Sequence, residues 1–175
     1  MRSKRDMKIY NKTKHYLEKI KDNDIDNKLR TIDSVLDITD KESRLDYLYD
    51  LICNYLDNEF KEKNICDFNC GICKKRQEMI REGIKKDIYV NGCCYSYLNN
   101  KKCTYLSDDG KCQIKNIGCK LFTCDFLHKQ GYNYKLNDIY LAKYFFNFWQ
   151  KYYIENETRK PKEEIIKGIM KRGRV

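Results

Sequence analysis

Asp40-Lys-Glu-Ser-Arg-Leu45-Asp-Tyr-Leu-Tyr-Asp50-Leu-Ile-Cys-Asn-Tyr55-Leu-Asp-Asn-Glu-Phe60 is the stretch from which the fold is read. Leu45, Leu48, Tyr49, Ile52, Tyr55, Leu56 and Phe60 recur at steps of three and four, the period of one face of an α-helix. Asp46, Asp50, Asp57 and Lys61 fall away from that stripe, and Asp40 supplies an oxygen to cap the amino end. Upstream, Ile25, Leu29, Ile32 and Leu36 form a shorter stripe of the same kind, which predicts two helices packed face to face. Cys53 adjoins Ile52 at the edge of the longer stripe and reads as a small buried residue.

Working outward, helix formers run from Lys74 to Ile84 with Met79, Ile80 and Ile84 on one side. Residues 91 to 131 lose helical periodicity. Within them Tyr105-Leu-Ser-Asp-Asp-Gly110-Lys-Cys-Gln-Ile114 predicts a small hairpin turning at Asp109-Gly110, since an Asp-Gly pair suits tight hairpin turns. Helix returns at Asn137 or Asp138. From Tyr140 to Tyr153 eight of fourteen residues are aromatic, which places that helix in the core or at an oligomer interface. Pro161 opens a last short helix ending at Met170. The expected fold is mainly α, a helical domain with an irregular cysteine-rich metal-binding insert containing a small β-hairpin. Its segments are an N-terminal helical part (1–65), the cysteine-rich part (66–131) and the aromatic helix with a basic tail (132–175), joined in one compact domain.

The chain of 175 residues is long enough for a true core. Its formal charge of +10 invites a nucleic-acid reading, but the charge is unevenly spread. Residues 1–21 carry eight Lys/Arg against two acids and 158–175 carry seven against two, whereas 22–65 carry twelve acids against six bases. Basic ends around an acidic helical middle read as solvated tails as readily as a phosphate footprint. Nucleic acid is therefore not the favoured partner. Eight thiolates on two dicationic sites would also lower the balance to about +6. The start, Met1 to Tyr10, has a basic flank with no apolar stretch behind it, and no apolar run approaches the ~20 residues of a membrane span. The expected compartment is the reducing cytoplasm, with no membrane association.

Of ten cysteines, nine fall between Cys66 and Cys124. A free thiol oxidises easily and packs no better than Ala or Val, so clustering points to ligation, and in a reducing compartment that means metal before disulfide. Cys66-Asp-Phe-Asn-Cys70-Gly-Ile-Cys73 puts three thiols on one short loop leading into a helix, whose free N–H groups favour negative charge. Structural zinc usually takes two ligands from each of two knuckles, whereas cubane iron–sulfur clusters take three from one loop and one from elsewhere. Cys66, Cys70 and Cys73 with Cys93 or Cys94 make one expected site. Cys103, Cys112, Cys119 and Cys124 make the second. The triplet has the spacing of radical S-adenosylmethionine enzymes too, but those place it after the first strand of a β/α barrel, and here helices precede it. His128, four residues past Cys124, has the spacing of a substitute zinc ligand but reads more readily as a surface residue or one that supports the ligands from behind, and His15 lies in the basic N-terminal region.

Gly92-Cys93-Cys94, Cys103-Thr-Tyr-Leu-Ser-Asp-Asp-Gly-Lys-Cys112-Gln-Ile114 and Cys119-Lys-Leu-Phe-Thr-Cys124 together resemble the YkgJ-type cysteine-cluster family, described as zinc- or iron-chelating proteins. The likeness covers roughly Gly92 to Cys124. This chain departs from the family in splitting the opening cysteines and in lacking an Arg-Pro before the penultimate one. The resemblance implies metal binding. The combined expectation is a protein holding iron–sulfur clusters, 4Fe-4S by spacing, in a redox or cluster-dependent role with a protein or electron-transfer partner. The alternative is a structural-zinc module for nucleic-acid or protein interaction. No catalytic constellation emerges from the sequence, and whether the chain is an enzyme is left open.

Overall fold

Helix α3, Lys41–Lys63, runs through the middle of the computed structural model, which describes residues 2–63, 68–69, 72–73, 78, 81–83, 105, 107, 113–123 and 125–173. The Asp40 carboxylate accepts the Ser43 N–H at 2.8 Å and starts the helix as expected. Leu45, Leu48, Tyr49, Ile52 and Leu56 are fully buried. Each such side chain contributes roughly 1.5–3 kcal/mol by leaving water. Tyr55 and Phe60 finish the stripe at the rim, meeting Tyr140 edge-on at 5.9 Å and Tyr134 at 5.2 Å. Cys53 is buried, with its Sγ 3.5 Å from the Lys115 carbonyl oxygen that accepts its thiol proton.

Two helices precede α3: α1 over Lys4–Lys19 and α2 over Ile25–Leu36. Of the stripe Ile25, Leu29, Ile32 and Leu36, the last three are buried and Ile25, at the start of the helix, is half-buried. Helix α1 lies in the segment expected to be helical, and it packs on the core instead of trailing as a solvated tail. Ser3 and Asp6 form a reciprocal cap, with Ser3 Oγ accepting the Asp6 N–H at 3.1 Å and Asp6 returning the bond to the Ser3 N–H at 3.2 Å. Ile9, Thr13 and Leu17 then turn inward one helical turn apart, and the Thr13 hydroxyl is satisfied by the Ile9 carbonyl at 2.9 Å. Only two of those three are apolar, which is why the stripe is faint in the sequence.

The uneven charge is folded back on itself. Arg2 pairs with Asp33 and Asp37, Arg44 with Asp6, Lys162 with Asp46 and Asp50, and Lys120 with Asp57. In the Arg2 and Lys162 pairs acids of the middle meet bases of the two ends, whereas in Arg44–Asp6 the middle supplies the base. Beside Asp50, burial pushes the carboxyl up, but Lys162 and Lys115 outweigh it and hold the group below the ordinary range.

The carboxy-terminal part comprises α4 (Ile117–Leu121), α5 (Asp125–Lys129), a 3-10 turn (Leu136–Asp138), α6 (Tyr140–Lys143), α7 (Phe148–Asn156) and α8 (Lys162–Met170). The aromatic stretch is thus not one helix. Asn147 interrupts it by capping α7: its Oδ1 accepts the Gln150 N–H, while Gln150 Oε1 accepts the Asn147 N–H, both at 2.9 Å. The break sends Phe145 and Phe146 into the core and leaves Phe148, Trp149 and Tyr152 in solvent. Buried Gln150 also donates to the carbonyls of Ile169 and Gly173, which docks the end of α8. A Cβ at Gly168 would lie 2.1 Å from the Tyr153 hydroxyl, so the Tyr153 ring of α7 rests on the α8 backbone at this glycine. Residues from Ile9 to Ile169 share one apolar core. Among the described residues no helix is long and apolar enough to cross a membrane.

Candidate metal centre

Of the nine clustered cysteines, two lie in described segments. Cys73 is in a two-residue strand, β2 (Ile72–Cys73), paired antiparallel with β1 (Phe68–Asn69) in the register Phe68 to Cys73 and Asn69 to Ile72. Cys119 is in α4. Cys66, Cys70, Cys93, Cys94, Cys103, Cys112 and Cys124 lie outside the described residues, as does most of the expected hairpin. The Gln113 N–H donates to the Tyr105 carbonyl at 2.8 Å, and neither residue lies in a strand. Of the helix expected after Cys73, the Glu82 N–H to Glu78 carbonyl bond at 2.9 Å supplies one turn.

The scaffold under Cys119 is built from buried contacts. The Ile117 N–H donates to the hydroxyl of fully buried Tyr49 at 3.1 Å, which fixes the start of α4 to α3. Asn116, also fully buried, caps α4 by accepting the Cys119 N–H at 2.8 Å. Its amide donates to the carbonyls of Glu157 and Lys160 at 3.0 and 2.9 Å. One side chain therefore ties α4 to the loop between α7 and α8. Gly118 brings the same loop close: a Cβ there would stand 2.6 Å from the Ile154 carbonyl oxygen and 2.9 Å from that of Glu157. Lys120 seals the other side against Asp57.

These contacts deliver the loop to sulfur. The backbone N–H of Arg159 donates to Cys119 Sγ at 3.1 Å. Arg159 is left-handed, with φ of 61°, a conformation that is uncommon for a residue with a side chain and that here aims the amide at the thiol. A backbone donor on a cysteine sulfur favours its negatively charged form and, where a metal is bound, tunes it. Toward Cys124, Thr123 is buried and its hydroxyl donates to the Tyr132 carbonyl at 2.7 Å, holding the chain between α4 and α5. His128 is exposed on α5 and His15 on α1.

Among the described residues no group of three or more His, Cys, Asp or Glu side chains is arranged to hold a metal ion. The sequence reading missed the supporting residues Asn116, Gly118 and Arg159. Asn-Ile-Gly-Cys before a short helix carries a capping signal, but the partner loop lies some forty residues away. No family model, no curated protein and no solved structure matches the chain.

Proposed function

We propose that the protein binds metal through Cys66, Cys70, Cys73, Cys93, Cys94, Cys103, Cys112, Cys119 and Cys124, holding iron–sulfur in a redox or cluster-dependent role. The observation that carries the reading is the Arg159 amide directed at Cys119 Sγ. It places a donor suited to a thiolate on a sulfur of the second expected ligand group, in a scaffold rigid enough to hold it there. Three thiols on the Cys66–Cys73 segment favour a cubane cluster over zinc. The resemblance of Gly92 to Cys124 to the YkgJ-type cysteine-cluster family supports chelation by Cys93, Cys94, Cys103, Cys112, Cys119 and Cys124. On this reading the compartment is the reducing cytoplasm, where thiolates persist, and the partner is a redox protein.

Purification of the full chain under nitrogen, with analysis of iron, zinc and acid-labile sulfide, tests the reading. The expected product is brown and contains iron and sulfide in equal amounts. Colourless protein with stoichiometric zinc would replace iron–sulfur by a structural-zinc interaction module. Metal-free protein with its cysteines in disulfides would overturn metal binding altogether.

A further inference from the structure

Phe148 and Trp149 stand at the amino end of α7 with 70% and 66% of their surface open, their rings meeting edge-on at 5.3 Å. Tyr152, one turn on, is 58% exposed. Aromatic side chains normally supply core burial, and a contiguous exposed group of them marks a contact surface. Beside it runs a row of cations. Lys4, Lys8, Lys12, His15 and Lys19 recur on the outward side of α1, all exposed. Lys4, Lys8, Lys12 and Lys19 have no ion pair among the described residues, whereas Arg2, Arg44, Lys120 and Lys162 have acidic partners. Lysines one helical turn apart repel one another, a cost that an external anion lying across them removes.

The row meets the segment that leads into the rings. Arg5 donates to the Phe145 carbonyl at 3.3 Å, and Lys12 Nζ lies 5.8 Å from the Tyr144 ring. Phe148 follows Phe145 by three residues, so chain length alone keeps it within about 11 Å of the Arg5 contact. Lys143, with Nζ 4.1 Å from the Tyr16 ring, extends the positive edge.

We infer that this face binds single-stranded nucleic acid, with phosphates along Lys4, Lys8 and Lys12 and unpaired bases stacked on Phe148 and Trp149. Cations flanking open aromatic faces form the platform that sequence-tolerant single-strand binding uses. A bilayer surface fits less well, because the apolar side of α1 is already spent on the core through Ile9 and Leu17. The inference uses none of the clustered cysteines and is independent of the metal.

Trp149 is the sole tryptophan, so its emission reports the contact directly. Titration of the full chain with a fluorescein-labelled oligothymidylate, followed by anisotropy and by Trp149 quenching, is expected to show saturable binding that weakens steeply with salt. Phe148→Ala/Trp149→Ala should reduce affinity at least about tenfold. Lys8→Ala/Lys12→Ala should lower the slope of log K against log salt by about 1.4, which is about 0.7 for each phosphate that no longer meets a lysine. Absence of quenching at low salt would overturn the proposal. So would equal affinity for a duplex of the same length, or affinity within twofold of wild type in the double aromatic variant. Quenching by phosphatidylserine vesicles but not by the oligonucleotide would assign the face to membrane. Quenching that rises with protein concentration alone would assign it to self-association. Should the aromatic variant lose its helical circular dichroism, the lysine pair decides the matter.

Discussion

Arg44 and Asp6 meet at 2.9 Å in the interior, 38 residues apart in the chain, and each is less than a tenth exposed. The same guanidinium donates to the carbonyls of Ile38 and Leu36 at 2.7 and 3.0 Å. Three helices thus converge on one cation: α1 through Asp6, the end of α2 through Leu36, and α3, which bears Arg44. Removing one member of a buried pair strands the other without water. Arg44→Ala should therefore cost about 3–5 kcal/mol, read as a fall in the urea midpoint at unchanged slope. Arg44→Met/Asp6→Leu, which removes both charges, should recover most of the loss. Equal destabilisation by the single and double variants would show that the carbonyl contacts, not the charge pair, are what matter.

Asp6 also sets an acid limit. Burial pushes its carboxyl up, but the Ser3 hydroxyl and backbone N–H and the Arg44 guanidinium outweigh burial and leave it below the ordinary value. A carboxyl whose folded value is depressed binds its proton more readily when unfolded, so it stabilises the fold above the unfolded value of about 3.9. That contribution fades as pH falls through the folded value. Stability curves of wild type and Asp6→Asn should therefore be separated at neutral pH and converge below about pH 4. A constant gap across the acid range would assign the stabilisation to something other than this ionisation.

The α3 stripe was legible because five of its seven positions are large, apolar and fully buried, and nothing local competes with the period. The break at Asn147 was not, because Lys143, Asn147, Gln150 and Lys151 recur at helical spacing and let Tyr140 to Tyr153 read as one continuous helix with a polar stripe. There one polar residue, capping α7 through Gln150, decides which rings are buried. Helix α1 was obscured in another way: its buried side includes Thr13 and Asp6, polar groups satisfied by Ile9, Ser3 and Arg44. At the candidate centre the cysteine spacing is a sequence property, whereas the Arg159 amide is a backbone group that no residue type announces.

Gly118 is fixed by backbone rather than by side chains. A methyl group at this position would meet the carbonyl oxygens of Ile154 and Glu157 at 2.6 and 2.9 Å, and neither belongs to a flexible side chain that could swing aside. Gly118→Ala should therefore destabilise by about 1–3 kcal/mol despite Ala's better helix propensity. Gly83, whose Cβ position meets nothing among the described residues, provides a contrast of another origin. Its φ of 73° makes Gly83→Ala strained by conformation alone. Thermal unfolding of Gly118→Ala above the wild-type midpoint would contradict the close approach of α4 to the α7–α8 loop.

Asn116 allows scaffold and centre to be tested together. Its oxygen caps α4 at Cys119, and its two amide donors hold the carbonyls of Glu157 and Lys160, which bracket Arg159. Asn116→Asp keeps the cap, for which Asp serves as well as Asn, but sets a second acceptor oxygen against two carbonyls. The variant should lose about 1–3 kcal/mol from unsatisfied buried groups and push the 157–160 loop away from Cys119. If metal is bound as proposed, removal of the Arg159 donor should hasten its release to a chelator, at a rate raised by about tenfold or more. Asn116→Ala loses cap and clamp together and should be less stable still. A variant with the loop displaced, as read by protease cutting near Arg159, yet with unchanged metal release would separate Cys119 from the ligand set while leaving the clamp intact.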